Sequence, residues 1–243
     1  MHETFDKVEI MNIPFINVNK KDLLHYHIFP RLNKRQRTFL VTANPEIVMK
    51  AREDKGYGDI VRSADYIIPD GTGIIAAAKY MKNPLPERIP GYELMIDLRK
   101  FAETQGLSCY FLGAKEYVNE KTVLEAEKRF PNLNIAGYQH GFFDLDDASV
   151  ADKVRETSPD LIFVALGLPR QEEWIAKYKD SFPKGLFMGV GGSFDTFTGE
   201  VKRAPEAWIR MNLEWLYRLI QQPFRFKRIL KVFEFMIRIF LKK

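Results

Sequence analysis

A chain of 243 residues, 46% hydrophobic and 28% charged, suits one large domain, or a domain of about 200 residues with an appendage. That balance excludes intrinsic disorder, and the single cysteine, Cys109, excludes an internal disulfide. The net charge of +5 is uneven: Arg218 to Lys243 holds eight cations against Glu234 alone, a net +7, which leaves residues 1–217 at −2. Cys109 lies in the apolar run Ser108-Cys-Tyr-Phe-Leu, which reads as a buried structural thiol in a reducing compartment. The start, Met1-His-Glu-Thr-Phe-Asp-Lys, lacks the basic-then-apolar order of a signal peptide.

In chain order, Lys7 to Val18 reads as two short strands around a turn near Asn12 to Pro14. Asn19 is placed to cap a helix through Leu23, Leu24 and Phe29, stopped by Pro30. Arg37 to Thr42 is a buried-type strand, and Pro45 opens a helix whose inner face is Ile47, Val48 and Ala51. Ile67 and Ile68 end the next strand at Asp70-Gly-Thr-Gly73, and an apolar helix to Met81 follows, broken at Asn83-Pro84-Leu-Pro86. Arg88-Ile-Pro-Gly91 leads into a helix holding Leu94, Met95 and Leu98. Beyond it strands and helices alternate: a strand at 108–112, a helix through Val118, a strand at 134–138, and a helix from Asp146 to about Thr157. A strand at 161–166 precedes Gly167-Leu-Pro-Arg-Gln171, which opens a helix, and a strand at 186–190 ends in Gly191-Gly192-Ser-Phe-Asp195. This rhythm predicts an α/β fold with a largely parallel sheet covered on both faces.

In such sheets ligands bind beyond the carboxyl ends of the strands. Four strand ends carry polar residues there: Thr42 with Asn44, Asp70, Gln171, and Gly191 with Gly192. Asp70 reads either as a cap for the helix near Thr72 or as a catalytic carboxylate. The glycines would let backbone N–H groups approach a phosphate, although glycines after strands commonly only make turns, and Gln171 is equally placed as a solvated first-turn residue. Neither G-x-G-x-x-G nor G-x-x-x-x-G-K-[ST] occurs. Of the histidines, His2, His25, His27 and His140, only the 25/27 pair is close in sequence, and on a helix it would point to different faces. Asp144-Leu-Asp146 has a cation-binding D-x-D spacing, but Asp146 stands at an expected helix start, where capping is the stronger explanation. Ser193 lacks a G-x-S-x-G context, so triad hydrolysis is not expected.

In the basic tail, Phe226, Ile229, Leu230, Phe233, Ile237, Phe240 and Leu241 fall on one helical face, and Lys227, Arg228, Lys231, Glu234, Arg238 and Lys242 on the other. The run is too short to span a bilayer, and its pattern fits a helix lying in an anionic membrane surface better than one docked on the body or in an oligomer. Nucleic acid is not expected, because the aromatics are not interleaved with the cations.

Several ordered blocks resemble the WecG/TagA/CpsF glycosyltransferase family along nearly the whole chain. They are Thr42-Ala-Asn44-Pro-Glu-Ile-Val, Pro69-Asp-Gly-Thr-Gly73, Pro86-Glu-Arg88-Ile-Pro-Gly91, Phe163 to Ile175, Gly189-Val-Gly-Gly-Ser-Phe-Asp195, Val201-Lys-Arg-Ala-Pro205 and Leu213 to Arg225. The last is most similar to the branch that adds N-acetylmannosamine to lipid-diphosphate-linked N-acetylglucosamine in wall teichoic acid synthesis. The resemblance implies a Rossmann-like catalytic domain over 1–205 and a membrane-directed basic appendage over 206–243. It also implies inverting transfer from a UDP-sugar to a polyprenyl-diphosphate-linked acceptor, with no metal or other cofactor. Asp70 would be the general base. Thr42 and Asn44 would meet sugar hydroxyls, Arg88, Gln171, Gly191 and Gly192 the diphosphate, and Asp195 the uridine. Arg218, Arg225 and Arg228 would be further candidates for the leaving-group charge. The expected location is cytoplasmic, peripheral on the inner face of the bacterial cell membrane, with a homo-oligomer off the membrane left open. The rivals are a family member using UDP-N-acetylmannosaminuronic acid or a UDP-hexose, and an inactive membrane adaptor.

Overall fold

Two cores, one on each face of a sheet, are built from period-two alternation along strands that bury every residue. In β3 (Thr38–Ala43), Phe39, Val41 and Ala43 enter one core and Leu40 the other; in β7 (Leu161–Ala165), Ile162 and Val164 oppose Leu161, Phe163 and Ala165. The computed structural model describes residues 6–205, 207–208, 211, 214–221 and 226–241, and within them all side chains but those of 214, 218, 227 and 228. Strands β4 (Tyr66–Pro69), β3, β8 (Leu186–Gly189), β7, β5 (Ser108–Gly113) and β6 (Asn134–Gln139) form one parallel sheet in that order. The α/β expectation holds. A separate antiparallel hairpin joins β1 (Lys7–Ile10) to β2 (Ile13–Ile16). Its two-residue turn is Met11–Asn12, both at positive φ (50° and 63°), and Pro14 stands inside β2 rather than in the turn.

Asn19 caps the first helical segment as expected, its Oδ1 accepting the Asp22 N–H at 2.8 Å. That segment does not stop at Pro30. It runs from α1 (Lys20–Asp22) through a π-helical turn (Leu23–Ile28) into α2 (Phe29–Asn33), where Pro30 falls in the first turn and its missing N–H is tolerated. The turn directs His27 toward the body, 5.8 Å from the Tyr66 ring, while His25 stays exposed.

Helices α3 (Pro45–Glu53), α4 (Lys55–Arg62), α5 (Thr72–Tyr80), α8 (Ala148–Glu156) and α9 (Arg170–Tyr178) contribute to the first core together with the hairpin. Helices α6 (Gly91–Gln105), α7 (Glu116–Arg129) and α10 (Ser193–Phe197) contribute to the second with the π-helical turn and α2. Helix α4 escapes sequence reading because Gly56 and Gly58 interrupt it. At Gly58 a Cβ would lie 2.6 Å from the Ala51 carbonyl oxygen, so the close α3–α4 approach requires a glycine. Helix α8 starts at Ala148, capped by Asp147 rather than by Asp146. Cys109 is fully buried, and burial pushes its thiol up to about 12.

The C-terminal part adds α11 (Glu214–Gln221) and α12 (Phe226–Phe240). Helix α12 packs on α3 and α5. Phe235, Ile239 and Ile229 are buried, Lys231 pairs with Glu53, and the Tyr80 ring meets Phe240 edge-on at 4.7 Å. A Cβ at Gly73 would lie within 4.0 Å of Val232 and Phe235, which marks where α12 seats. The apolar residues of α12 therefore divide into two strips instead of sharing one face. Ile229, Phe235 and Ile239 face the body, whereas Phe226, Leu230, Phe233, Ile237, Phe240 and Leu241 are each about half exposed or more. Among the described residues no helix is long and apolar enough to cross a membrane.

Candidate active site

The four strand ends singled out in the sequence belong to β3, β4, β7 and β8, which are neighbours in the order β4-β3-β8-β7. Because these strands are parallel, their carboxyl ends lie on one edge of the sheet and bring Thr42, Asn44, Asp70, Gln171 and Gly191 together. Each is held by a specific local interaction.

Asp70 follows β4, and its N–H donates to the Ala43 carbonyl at 2.9 Å, which extends the ladder to β3 by one step. It does not cap α5. Gly71, at φ 140°, occupies the N-cap position and no side chain caps that helix. The Asp70 carboxylate instead accepts the Gly91 N–H at 3.3 Å, and the Ile89 N–H donates to the Pro69 carbonyl at 2.8 Å. Segment 88–91, in which Arg88 is half-buried, thus wraps the end of β4. A Cβ at Gly91 would lie 3.2 Å from Thr42, so this wrapping also closes on β3.

Asn44 caps α3, its Oδ1 accepting the Ile47 N–H at 3.1 Å, and its amide nitrogen takes no part in that cap. Thr42 is buried and donates its hydroxyl to the Gly189 carbonyl at 3.3 Å, tying β3 to the end of β8.

Gln171 is buried rather than solvated, as is its neighbour Glu172. The Gln171 Oε1 accepts the Gly191 N–H at 3.0 Å, and its Nε2 donates to Glu172 Oε1 at 2.7 Å. A Cβ at Gly189 would lie 2.6 Å from that same Nε2, so only glycine leaves space for the amide. Since the Gly191 N–H is given to Gln171, Gly192 is the glycine of this pair whose N–H is not so engaged. Burial pushes the Glu172 carboxyl up to about 7, against the lowering effect of the Gln171 hydrogen bond. Burial likewise raises the Tyr57 phenol, with Glu172 adding to the effect. The Glu172 Oε2 and the Tyr57 hydroxyl are both buried and interact with each other, without a hydrogen bond of good geometry. Sequence reading passed over Glu172. The signal was its place among the inward residues of α9, three before Ile175 and two before Trp174.

Asp195 lies in the first turn of α10, half-buried, just after Gly192. The Arg218 and Arg228 side chains and all of Arg225 lie outside the described residues. The two acids of the D-x-D are otherwise engaged: Asp144 accepts the Asp146 N–H at 2.9 Å, and Asp146 pairs with Lys177. Among the described residues no three His, Cys, Asp or Glu side chains cluster as metal ligands would.

Asp70 and the glycine-bearing 189–192 loop stand at the carboxyl edge of a Rossmann-like sheet, the edge at which open α/β folds bind ligands. The chain belongs to the glycosyl transferase WecG/TagA/CpsF family, whose sequence model matches residues 8–243. It is similar to proteins named N-acetylglucosaminyldiphosphoundecaprenol N-acetyl-beta-D-mannosaminyltransferase. The one from Bacillus spizizenii is 43% identical over 201 residues, 83% of this chain and 78% of the relative. That from Bacillus subtilis is 40% identical over 92% of this chain and 87% of its own length. That from Staphylococcus aureus is 37% identical over 96% and 92%.

Proposed function

We propose that the protein moves N-acetylmannosamine from UDP to the 4-hydroxyl of an N-acetylglucosamine carried on a polyprenyl diphosphate. The observation that carries this is Asp70: a carboxylate at the carboxyl edge, not used as a helix cap, in a chain whose relatives are named for such a transfer. The acceptor oxygen attacks the anomeric carbon as the bond from that carbon to the diphosphate oxygen breaks. Asp70 takes the hydroxyl proton and UDP leaves with the bonding electrons. One base on the face opposite the leaving group is all that an inverting displacement needs, and an α-linked donor then gives the β linkage in the relatives' names.

The diphosphate is met by Arg88, the Gly192 N–H and arginines of the C-terminal part, Arg218, Arg225 and Arg228, in place of a metal. Asp195 takes the uridine and the Asn44 amide nitrogen a sugar hydroxyl, while Thr42 and Gln171 brace the loop behind them. The protein works on the inner membrane surface, lowering the exposed strip of α12 into the headgroup region. Arg52, Lys55, Arg62, Lys82 and Arg238 line a basic cleft beside it, and Arg238 also borders the exposed strip, which suits anionic lipid.

The chemistry is tested by proton NMR of the product formed in excess EDTA. A β-linked N-acetylmannosaminyl product at an undiminished rate is expected. An α linkage would exclude a single inverting displacement, and a strict divalent-cation requirement would return the leaving-group role to a metal.

A further inference from the structure

The side-chain amide of Gln171 can be satisfied in only one orientation. Its oxygen takes the Gly191 N–H at 3.0 Å, so its nitrogen must find an acceptor, and Glu172 Oε1 supplies it at 2.7 Å. Rotating the amide would set a donor against the Gly191 donor and an acceptor against a carboxyl oxygen. The amide also fills the space at Gly189 that any Cβ would need, and the Gly189 carbonyl holds Thr42. Thr42 in turn leaves little room for a Cβ at Gly91, whose N–H donates to the Asp70 carboxylate. Glu172 is 1% exposed, so it meets neither donor nor acceptor itself.

We infer that Glu172 is a positioning residue for the transferase: its carboxyl oxygen fixes the Gln171 amide, which in turn fixes the backbone of the 189–192 loop. The inference rests on the proposed placement of the donor diphosphate against that loop. What Glu172 supplies is an acceptor at a defined reach, and its charge is not required. Glu172→Gln keeps the acceptor, and its new NH₂ can donate to the buried Tyr57 hydroxyl with which Glu172 interacts. Glu172→Asp keeps the charge but is one methylene short. Glu172→Met keeps the length and offers only a weak thioether acceptor.

The experiment measures the amide exchange of Gly191 in the free protein, and KM and kcat for UDP-N-acetylmannosamine, in all three variants. Glu172→Asp and Glu172→Met are expected to exchange Gly191 about tenfold faster and to raise the donor KM about tenfold. Their kcat should stay within about threefold, because the loop grips ground state and transition state alike. Glu172→Gln is expected to match the wild type in all of these. Unchanged Gly191 exchange in Glu172→Asp would overturn the inference, as would a Glu172→Gln protein of wild-type Tm that is as impaired as Glu172→Asp. Should Glu172→Met fail to fold, the Asp and Gln pair decides alone. Faster Gly191 exchange with an unchanged donor KM would uphold the positioning role and overturn the donor placement instead.

Discussion

Replacing Asp70 with asparagine is expected to lower turnover about 10²–10⁴-fold while leaving UDP affinity within about threefold of wild type. General-base assistance contributes about 10²–10⁴-fold on its own, and an amide cannot take the acceptor's proton. The substitution is nearly isosteric, and the asparagine Oδ1 can still accept the Gly91 N–H, so segment 88–91 keeps its path. Nor is a helix cap lost, since Gly71 holds that position in α5. Tm and UDP binding, measured beside turnover, separate the roles: a protein that folds and binds UDP but does not transfer points to the base. A fall in Tm of many degrees would make Asp70 a structural residue of the β4 end.

The second large effect is expected on α12. Changing Leu230, Phe233 and Ile237 together to serine should weaken binding to vesicles containing anionic lipid at least about a hundredfold, since burying each such side chain is worth about 1.5–3 kcal/mol. The three lie on the exposed strip, away from Phe235 and Ile239, so the packing of α12 on α3 and α5 should survive. Activity on lipid-borne acceptor in vesicles should fall in step, while activity on a short-chain soluble acceptor should not. Vesicle sedimentation and the two assays check this together. Unchanged sedimentation of a folded variant would remove the strip from membrane binding.

That strip shows where sequence reading ends. Helical spacing identifies which residues of the tail are apolar, but α12 has apolar residues around more than half of its circumference. Periodicity alone does not divide Ile229, buried against the body, from Leu230, which is exposed. The same limit applies at the site. Alternating strands and helices made the parallel sheet legible, and four of its strand ends could be marked as polar. That β4, β3, β8 and β7 are neighbours depends on long-range pairing that no local pattern records. The local pattern alone leaves Asp70 between cap and base, the resemblance makes it the base, and Gly71 at the N-cap with the Gly91 N–H on the carboxylate removes the cap reading. Glu172 was missed because a charged residue in the first turn of a helix ordinarily faces water, and only tertiary packing buries it here.

The most direct test offers the protein equal amounts of UDP-N-acetylmannosamine, UDP-N-acetylmannosaminuronic acid, UDP-N-acetylglucosamine and UDP-glucose, with one diphosphate-lipid-linked N-acetylglucosamine acceptor. Mass spectrometry then identifies the lipid product. A single product, heavier than the acceptor by one N-acetylhexosamine and formed only when UDP-N-acetylmannosamine is present, is the predicted result. A product built from another of the donors, or no product from any of them, would contradict it.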